Sequence, residues 1–328
     1  MLGYIGRRLL LMVMTLVIIS VISFAIIQLP PGDFLTAYIE RLEESGLTRD
    51  QAVIESLKKR YGLDQPIYVQ YGKWVWGMMH GDFGQSFLFN RPVGELIWER
   101  LGLTMAVSFA ALLFNWIVAL PIGIYSAVRQ YSIGDYLATF IGFIGLAIPN
   151  FMLALILMWL AFSVFGANVG GLFSAEYADA PWTWGKVVDM LKHLWLPMVV
   201  LGMAGTAGLI RIMRANLLDE LRRPYVITAR AKGLTEKRLI FKYPVRVAIN
   251  PFVSTIGWTL AGLVGGETIV SIVLGLPTTG PLLFRALMMQ DMYLAGTFIM
   301  MVSALTVIGT LISDVLLAWV DPRIRHSI

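Results

Sequence analysis

Apolar positions along this chain gather into six long blocks, with polar residues confined to the stretches between them. The blocks run roughly over Leu9–Leu29, Leu103–Ala127, Tyr136–Phe165, Trp195–Asn216, Asn250–Gly275 and Tyr293–Trp319. Each reaches the about 20 residues that a helix needs to cross the hydrocarbon of a bilayer. The pattern predicts an all-α membrane protein with six transmembrane helices. The third block is overlong and holds Pro149, which has no backbone N–H to give to a helix, so a kink or a tilted entry is expected there. Pro121 and Pro197 sit inside or near the ends of other spans. Spans rich in Gly, Ala and Ser let helices approach closely.

The polar stretches divide the chain into three parts. Residues 1–29 form the N-terminus and first helix. Residues 30–100 form a module outside the membrane. Residues 101–328 carry the other five helices, with a polar loop at about 215–249. In the module, Thr48-Arg49-Asp50-Gln51 is a capping box. The helix it opens has Val53, Ile54, Leu57 and Tyr61 on one side, and Gly62 stops it. Beyond Pro66, Tyr68, Tyr71, Val75 and Met78 recur at helical spacing, and Trp74 and Trp76 suit the headgroup level. The glycines of His80-Gly81-Asp82-Phe83-Gly84-Gln85-Ser86 imply tight turns in which Asp82 and Ser86 bond local backbone. The loop before the fifth block, LLDELRRPYVITARAKGLTEKRLIFKYPVRVAINP from Leu217 to Pro251, reads as two short helices broken by Gly233, where a left-handed backbone is expected. Thr235 is placed to cap the second helix, with Glu236 in its first turn where the helix dipole favours an acid. A charged helix–turn–helix projecting from a membrane protein is a docking element.

Composition agrees with the pattern. The 328 residues are 57% apolar and only 14% charged, against about 25% charged in a soluble domain. Absence of cysteine excludes disulfides, thiol catalysis and cysteine-ligated metals. Three scattered histidines argue against a histidine metal site, and no metal is expected. The net charge of +5 suggests nucleic acid only until the charges are placed. With the N-terminus inside, 15 Lys and Arg fall on the cytoplasmic side, ten of them between Arg211 and Arg246, whereas the short outer loops hold Lys186, Lys192 and Arg285. This asymmetry puts both termini and the basic loop in the cytoplasm. The module's own eight basic residues do not oppose this, because segments longer than about 60 residues translocate largely regardless of charge. A signal peptide competes for the N-terminus through Arg7-Arg8. The apolar run is too long for one and ends in Gln28-Leu29-Pro30-Pro31 without a small-x-small site, which favours an uncleaved helix. There is no G-x-x-x-x-G-K-S/T, so the chain does not hold ATP in a P-loop, and no catalytic constellation appears.

On the residues Ala229-Arg230-Ala231-Lys232-Gly233-Leu234 and the basic run after them, the loop resembles the cytoplasmic coupling loop of permease subunits of binding-protein-dependent ABC importers. It is most similar to the dipeptide/oligopeptide branch. The glutamate of the broader importer motif is absent, with Ile227, Thr228 and Ala229 in its place, and Pro251 falls late. Both departures fit the peptide branch. Gly81-Asp82-Phe83-Gly84-Gln85-Ser86 followed by Arg91-Pro92-Val93, and the C-terminal Asp321-Pro322-Arg323-Ile324-Arg325, are similar to that branch too, so the resemblance covers most of the chain.

The resemblance implies a non-catalytic subunit in a bacterial or archaeal plasma membrane, forming half of a pore for peptides or a related solute. Its partners would be a second homologous permease, two ATPase subunits that hold ATP and Mg, an extracytoplasmic substrate-binding protein and membrane lipid, with no nucleic acid and no cofactor on this chain. Tyr225, Thr228, Ala229, Arg230, Ala231, Lys232, Gly233 and Leu234 are the implied ATPase-coupling residues. Gly262, Gly265, Gly266 and Glu267 are candidates for the translocation path or gate, because an acid at membrane depth is costly and marks function. A structural, paired acid is the competing reading for Glu267, and the favoured one for Asp314. Asp82, Ser86, Arg285 and Asp291 are candidates for docking the binding protein, or else simply hold loops. Between Leu274 and Asp291 a dipping segment is expected, in which Pro281 opens a short helix with an apolar face of Leu282, Leu283 and Leu287. The Met288–Met292 cluster reads as adaptable packing rather than a metal site. A self-sufficient channel or secondary carrier is the alternative function. It would more often show related halves with paired broken helices, which the sequence lacks.

Overall fold

A computed structural model describes residues 2–28, 65–86, 88–167, 169–254, 262 and 268–320. The capping box, the helix beyond it, Gly265, Gly266, Glu267 and the Asp321–Arg325 motif lie outside these residues. In chain order the elements are α1 (Leu2–Gln28), α2 (Ile67–Met79), β1 (Gln85–Ser86), β2 (Arg91–Pro92), α3 (Val93–Val128), α4 (Ile133–Ala147), α5 (Asn150–Phe165), α6 (Trp184–His193), α7 (Trp195–Leu221), α8 (Pro224–Ala231), α9 (Glu236–Lys242), α10 (Pro244–Ala248), α11 (Thr268–Val273), α12 (Thr279–Met288) and α13 (Met292–Val320). The two short antiparallel strands, with Gln85 opposite Pro92 and Ser86 opposite Arg91, are the one departure from all-α among the described residues.

Three helical stretches are long and apolar enough to cross a membrane alone: Gly6–Gln28, Val93–Val128 and Met292–Val315. Two more candidates are bent pairs, α4 with α5 at 105° and the halves of α7, Trp195–Met203 and Gly205–Leu221, at 53°. The 105° break falls at Ile148-Pro149, where the expected kink lies. Ile148 is extended and Pro149 is the residue before the first turn of α5, as proline and its predecessor favour. Pro121, by contrast, sits inside a continuous α3. Up to five spans are thus present among the described residues, and most of the sixth expected block, Asn250–Gly275, lies outside them.

The chain forms two compact units. The first comprises residues 103–280 with 308–328. Its α3 and α7 approach so closely that a Cβ on Gly202 would stand 2.4 Å from Phe114 Cδ1, so this crossing requires glycine. One turn on, the buried Thr206 hydroxyl donates to Asn115 Oδ1 at 2.6 Å, the kind of small-residue and polar contact by which membrane helices adhere. A second core joins Leu103 and Val107 of α3, Ala154 of α5, Leu196 and Val200 of α7 and Val270 of α11. The second unit comprises residues 2–102 with 281–307. In it α1 and α2 meet through Phe24, Ile27 and Trp74 with Tyr293, and Ser20 and Tyr71 hydroxyls lie 2.7 Å apart. Trp74 is therefore a core residue and not a headgroup anchor, while Trp76 is 63% exposed.

Candidate functional site

The basic loop folds as the sequence pattern predicts, into α8 and α9 separated by Gly233, and adds α10 behind them. Gly233 has φ +79°. Its N–H reaches the Arg230 carbonyl at 3.0 Å and the Leu234 N–H reaches the Ala229 carbonyl at 3.4 Å. These two bonds make a Schellman stop. A Cβ at Gly233 would meet nothing within 4 Å, so the requirement for glycine is one of backbone conformation and not of space. Thr235 occupies the cap position of α9 with an extended backbone, but its side chain makes no capping bond. Glu236 instead receives a bidentate pair from Arg230, Nε to Oε1 at 2.5 Å and Nη2 to Oε2 at 3.0 Å. That pair closes the turn across Gly233. Its hydrogen bond, reinforced by charge, holds the Glu236 carboxyl below the usual carboxylate range.

One face of this loop is apolar and buried. Val226, Ala229, Leu239, Ile240, Val245 and Ala248 form one core with Met213 and Leu217 of α7, Ala119 and Ala127 of α3, and Phe252. Of the eight residues named for coupling, Ala229 is buried in this core and Leu234 packs against it. Tyr225, Thr228, Arg230, Ala231, Lys232 and Gly233 are exposed. Thr228 donates back to the Pro224 carbonyl at 2.9 Å, and Tyr225 donates to Glu220 at the end of α7. The loop is thus welded by its inner face to two long apolar helices, and its outer face is exposed. That outer face also carries Ile227 and Phe241, 58% and 52% exposed. Sequence reasoning passed over both; an apolar residue one step out of phase with a buried neighbour is the signal that marks each.

In the second unit, Ser86 and Asp291 come together. The Ser86 hydroxyl donates to Asp291 Oδ2 at 2.5 Å, the Leu88 N–H donates to the same oxygen at 3.2 Å, and the Leu294 N–H donates to Asp291 Oδ1 at 3.3 Å. Asp291 is the N-cap of α13 and clips the β1–β2 hairpin to it. Ser86 is 0% and Asp291 2% exposed, so neither side chain is available to a docking protein. Asp82 is exposed, accepting from the Gly84 N–H at 3.1 Å, and Arg285 is exposed on α12. That helix begins at Thr279, two residues before Pro281, and its buried face is Leu282 and Ala286, with Leu287 43% exposed.

Residues 119–326 match the family described as binding-protein-dependent transport system inner membrane component, and residues 1–108 match the N-terminal region of such membrane components. The chain belongs to this family. An oligopeptide transport system permease protein of Bacillus subtilis is 37% identical over 327 residues, covering 99% of this chain and 100% of that one. A dipeptide transport system permease protein of Alkalihalophilus pseudofirmus is 31% identical, again over 99% of this chain and 100% of its own length. The fold is similar to that of a solved chain from the MetNI methionine ABC transporter in inward facing conformations, with a TM-score of 0.51 and 18% identity, covering 69% of this chain and 96% of that one.

In this permease the first unit also contains a buried charged contact that the sequence did not announce. Asp135, in the first turn of α4 and only 3% exposed, accepts from Arg214 of α7 at 2.9 Å and from the Tyr131 N–H at 3.0 Å. Its capping serine, Ser132, lay three residues ahead of it in plain sight, but its ion-pair partner lies 79 residues away. Among the described residues no group of three or more His, Cys, Asp or Glu side chains could hold a metal. Of the path candidates, Gly262 is helical and a Cβ there would meet nothing within 4 Å.

Proposed function

We propose that this permease forms half of a peptide-conducting pore in a bacterial or archaeal inner membrane, beside a second homologous permease. Two ATPase subunits dock on the cytoplasmic side, one of them on the coupling loop of this chain at about 215–249, and a substrate-binding protein delivers peptide on the opposite side, where the 30–100 module lies. The observation that carries the reading is the division of the loop. Its inner face shares one core with α3 and α7, so displacement of its outer face moves those helices as a body. ATP and Mg belong to the ATPase partners. Closure of those partners would push Tyr225, Thr228, Arg230, Ala231, Lys232 and Gly233, with Ile227 and Phe241 as apolar contacts, and shift the pore between inward- and outward-facing states by differential binding. The path runs along the fifth span with Gly262, Gly265, Gly266 and Glu267, a reading that rests on the small residues of that span and the cost of an acid at membrane depth. Asp82 and Arg285 remain as docking contacts for the binding protein, with Ser86 and Asp291 holding the hairpin in place.

The test is reconstitution of the chain with its second permease and ATPase subunits, measuring peptide uptake and ATP hydrolysis with and without the binding protein. Uptake that needs all four components is expected. Uptake by this chain alone would instead establish the channel or carrier reading. A cysteine at exposed Asn90 should react with an impermeant thiol reagent in spheroplasts, and one at exposed Thr235 only after permeabilisation.

A further inference from the structure

Arg211 stands on α7 sixteen residues beyond Trp195, roughly 24 Å along the helix path at 1.5 Å per residue, and the 53° bend between Met203 and Gly205 shortens the straight-line span further. A hydrocarbon core is about 30 Å thick, so a helix that enters at Trp195 keeps this guanidinium within the apolar layer. Here α7 runs antiparallel to α4: Asp135 meets Arg214, Gly142 faces Ala207, and Gly145 faces Met203. The two helices leave between them a cleft of about 190 Å³, walled by Gly142, Phe143, Leu146 and Ile210 and ended by Arg211 and Arg214. Asp135 neutralises Arg214 at 2.9 Å. Arg211 is exposed, and no acidic side chain among the described residues pairs with it.

An unpaired cation beside an apolar wall is costly at membrane depth and calls for an anion. The anion must also bring something apolar to cover Phe143 and Leu146. We propose that this cleft binds one anionic phospholipid, its phosphate on the Arg211 guanidinium and an acyl chain along the α4 wall. A guanidinium presents a planar fork that matches phosphate oxygens, and basic recesses between transmembrane helices are where anionic headgroups lodge. The rest of α4 fits a lipid-facing helix: Phe140, Ile141 and Phe143 are each more than half exposed. The assignment is independent of the coupling role of the loop.

The test uses the full-length chain in its assembled complex, taken from bilayers of phosphatidylcholine with phosphatidylglycerol and examined by native mass spectrometry. One retained phosphatidylglycerol per chain is expected. Arg211→Gln should lower retention about tenfold, the loss of one charge-assisted contact, while Arg211→Lys keeps most of it and Lys192→Gln, an exposed cation just before the opposite end of α7, keeps all of it. Equal retention in Arg211→Gln, or equal loss in Lys192→Gln, overturns the proposal. A photocrosslinking side chain at Phe143, with Arg211 intact, decides even where Arg211→Gln fails to assemble. A lipid adduct is expected, and an adduct carrying the mass of another protein subunit overturns the assignment in favour of a permease–permease contact.

Discussion

In the 224–248 loop the buried side chains are apolar and the charges face outward, whereas in the 172–193 loop of the same unit two charged side chains are buried. Lys186 and Asp189 are 6% and 8% exposed. The Lys186 ammonium donates to the Ala178 and Ala180 carbonyls at 3.3 and 2.6 Å and lies over the Phe173 ring at 4.8 Å. Asp189 accepts from the Ser174 N–H at 2.7 Å and from the Ser174 hydroxyl. A buried charge tolerates only the geometry that satisfies it, so this polar network fixes the 172–193 loop in addition to Leu172, which is buried in a core with α3 and α7. The 224–248 loop is fixed by its apolar core with α3 and α7, and its charged side chains stay out of that core. On the proposed reading, one loop holds a shape and the other transmits a displacement.

The comparison is most exposed to Asp189→Ala. The substitution leaves the Ser174 N–H and hydroxyl without their acceptor, and the loss should be about 2–3 kcal/mol, in line with hydrogen bonds to a buried charge. Thermal unfolding and the yield of assembled complex should fall, with uptake per assembled complex unchanged. Unchanged stability would show that the 172–193 network is incidental.

Gly233→Val tests the other loop and should give the reverse signature. A β-branched residue at φ +79° costs about 1–2 kcal/mol of local backbone strain in a turn with free space around it. Membrane insertion and assembly should hold, while uptake and transport-linked ATP hydrolysis fall several-fold. Gly233→Asn, which tolerates the left-handed region, should keep most of both. Equal behaviour of Val and Asn would separate the function from the backbone of this turn.

How much of this was legible beforehand follows from the range of the interactions involved. The α8–Gly233–α9 break and the Pro149 bend are settled within a few residues of chain, and the sequence carries them, although the Thr235 side chain does not make the capping bond expected of it. Trp74 looked like a headgroup anchor because aromatic composition says nothing about which helix covers it; Phe24, some 50 residues earlier, does. Ser86 and Asp291 looked like two docking residues because their 205-residue separation hides the fact that each satisfies the other. Arg230 looked free because Glu236 was read as a dipole partner of α9 and not as a counter-charge across the turn. Local backbone chemistry was readable, and long-range pairing of polar groups was not.

Arg230 is already paired with Glu236, so Lys232 has more charge to offer a partner. Lys232→Glu should weaken copurification of the ATPase subunits a few-fold at low salt, more than Arg230→Gln does, and the difference should shrink within the range where salt screens exposed charges. An effect of equal size for both, or one insensitive to salt, would mean that Ile227 and Phe241 carry the docking.

The smallest effect expected is on pH, and it again separates the loops. The Glu236 carboxyl is held below its ordinary value by the hydrogen bond from Arg230. A depressed folded value means that the pair contributes fully above the ordinary carboxylate range and is lost as pH falls through the folded value. Both side chains are about half exposed, so water and salt screen the contribution. Asp189 is also held low: burial pushes its carboxyl up, but the Ser174 hydroxyl and N–H, helped by His193 and Lys192, outweigh it. The acid limit therefore has the same sign in both loops but a different sensitivity to salt. Protection of the Leu234–Leu239 amides from hydrogen exchange, taken relative to the intrinsic rate at each pH, should fall on acidification, only slightly and less at high salt, and Glu236→Gln should remove the pH step. Protection of the Ser174 amide should fall on acidification by the same amount at low and high salt, because its acceptor is buried. A salt-dependent step at Ser174, or a salt-independent one at Leu234–Leu239, would reverse the assignment of which loop keeps its charges inside.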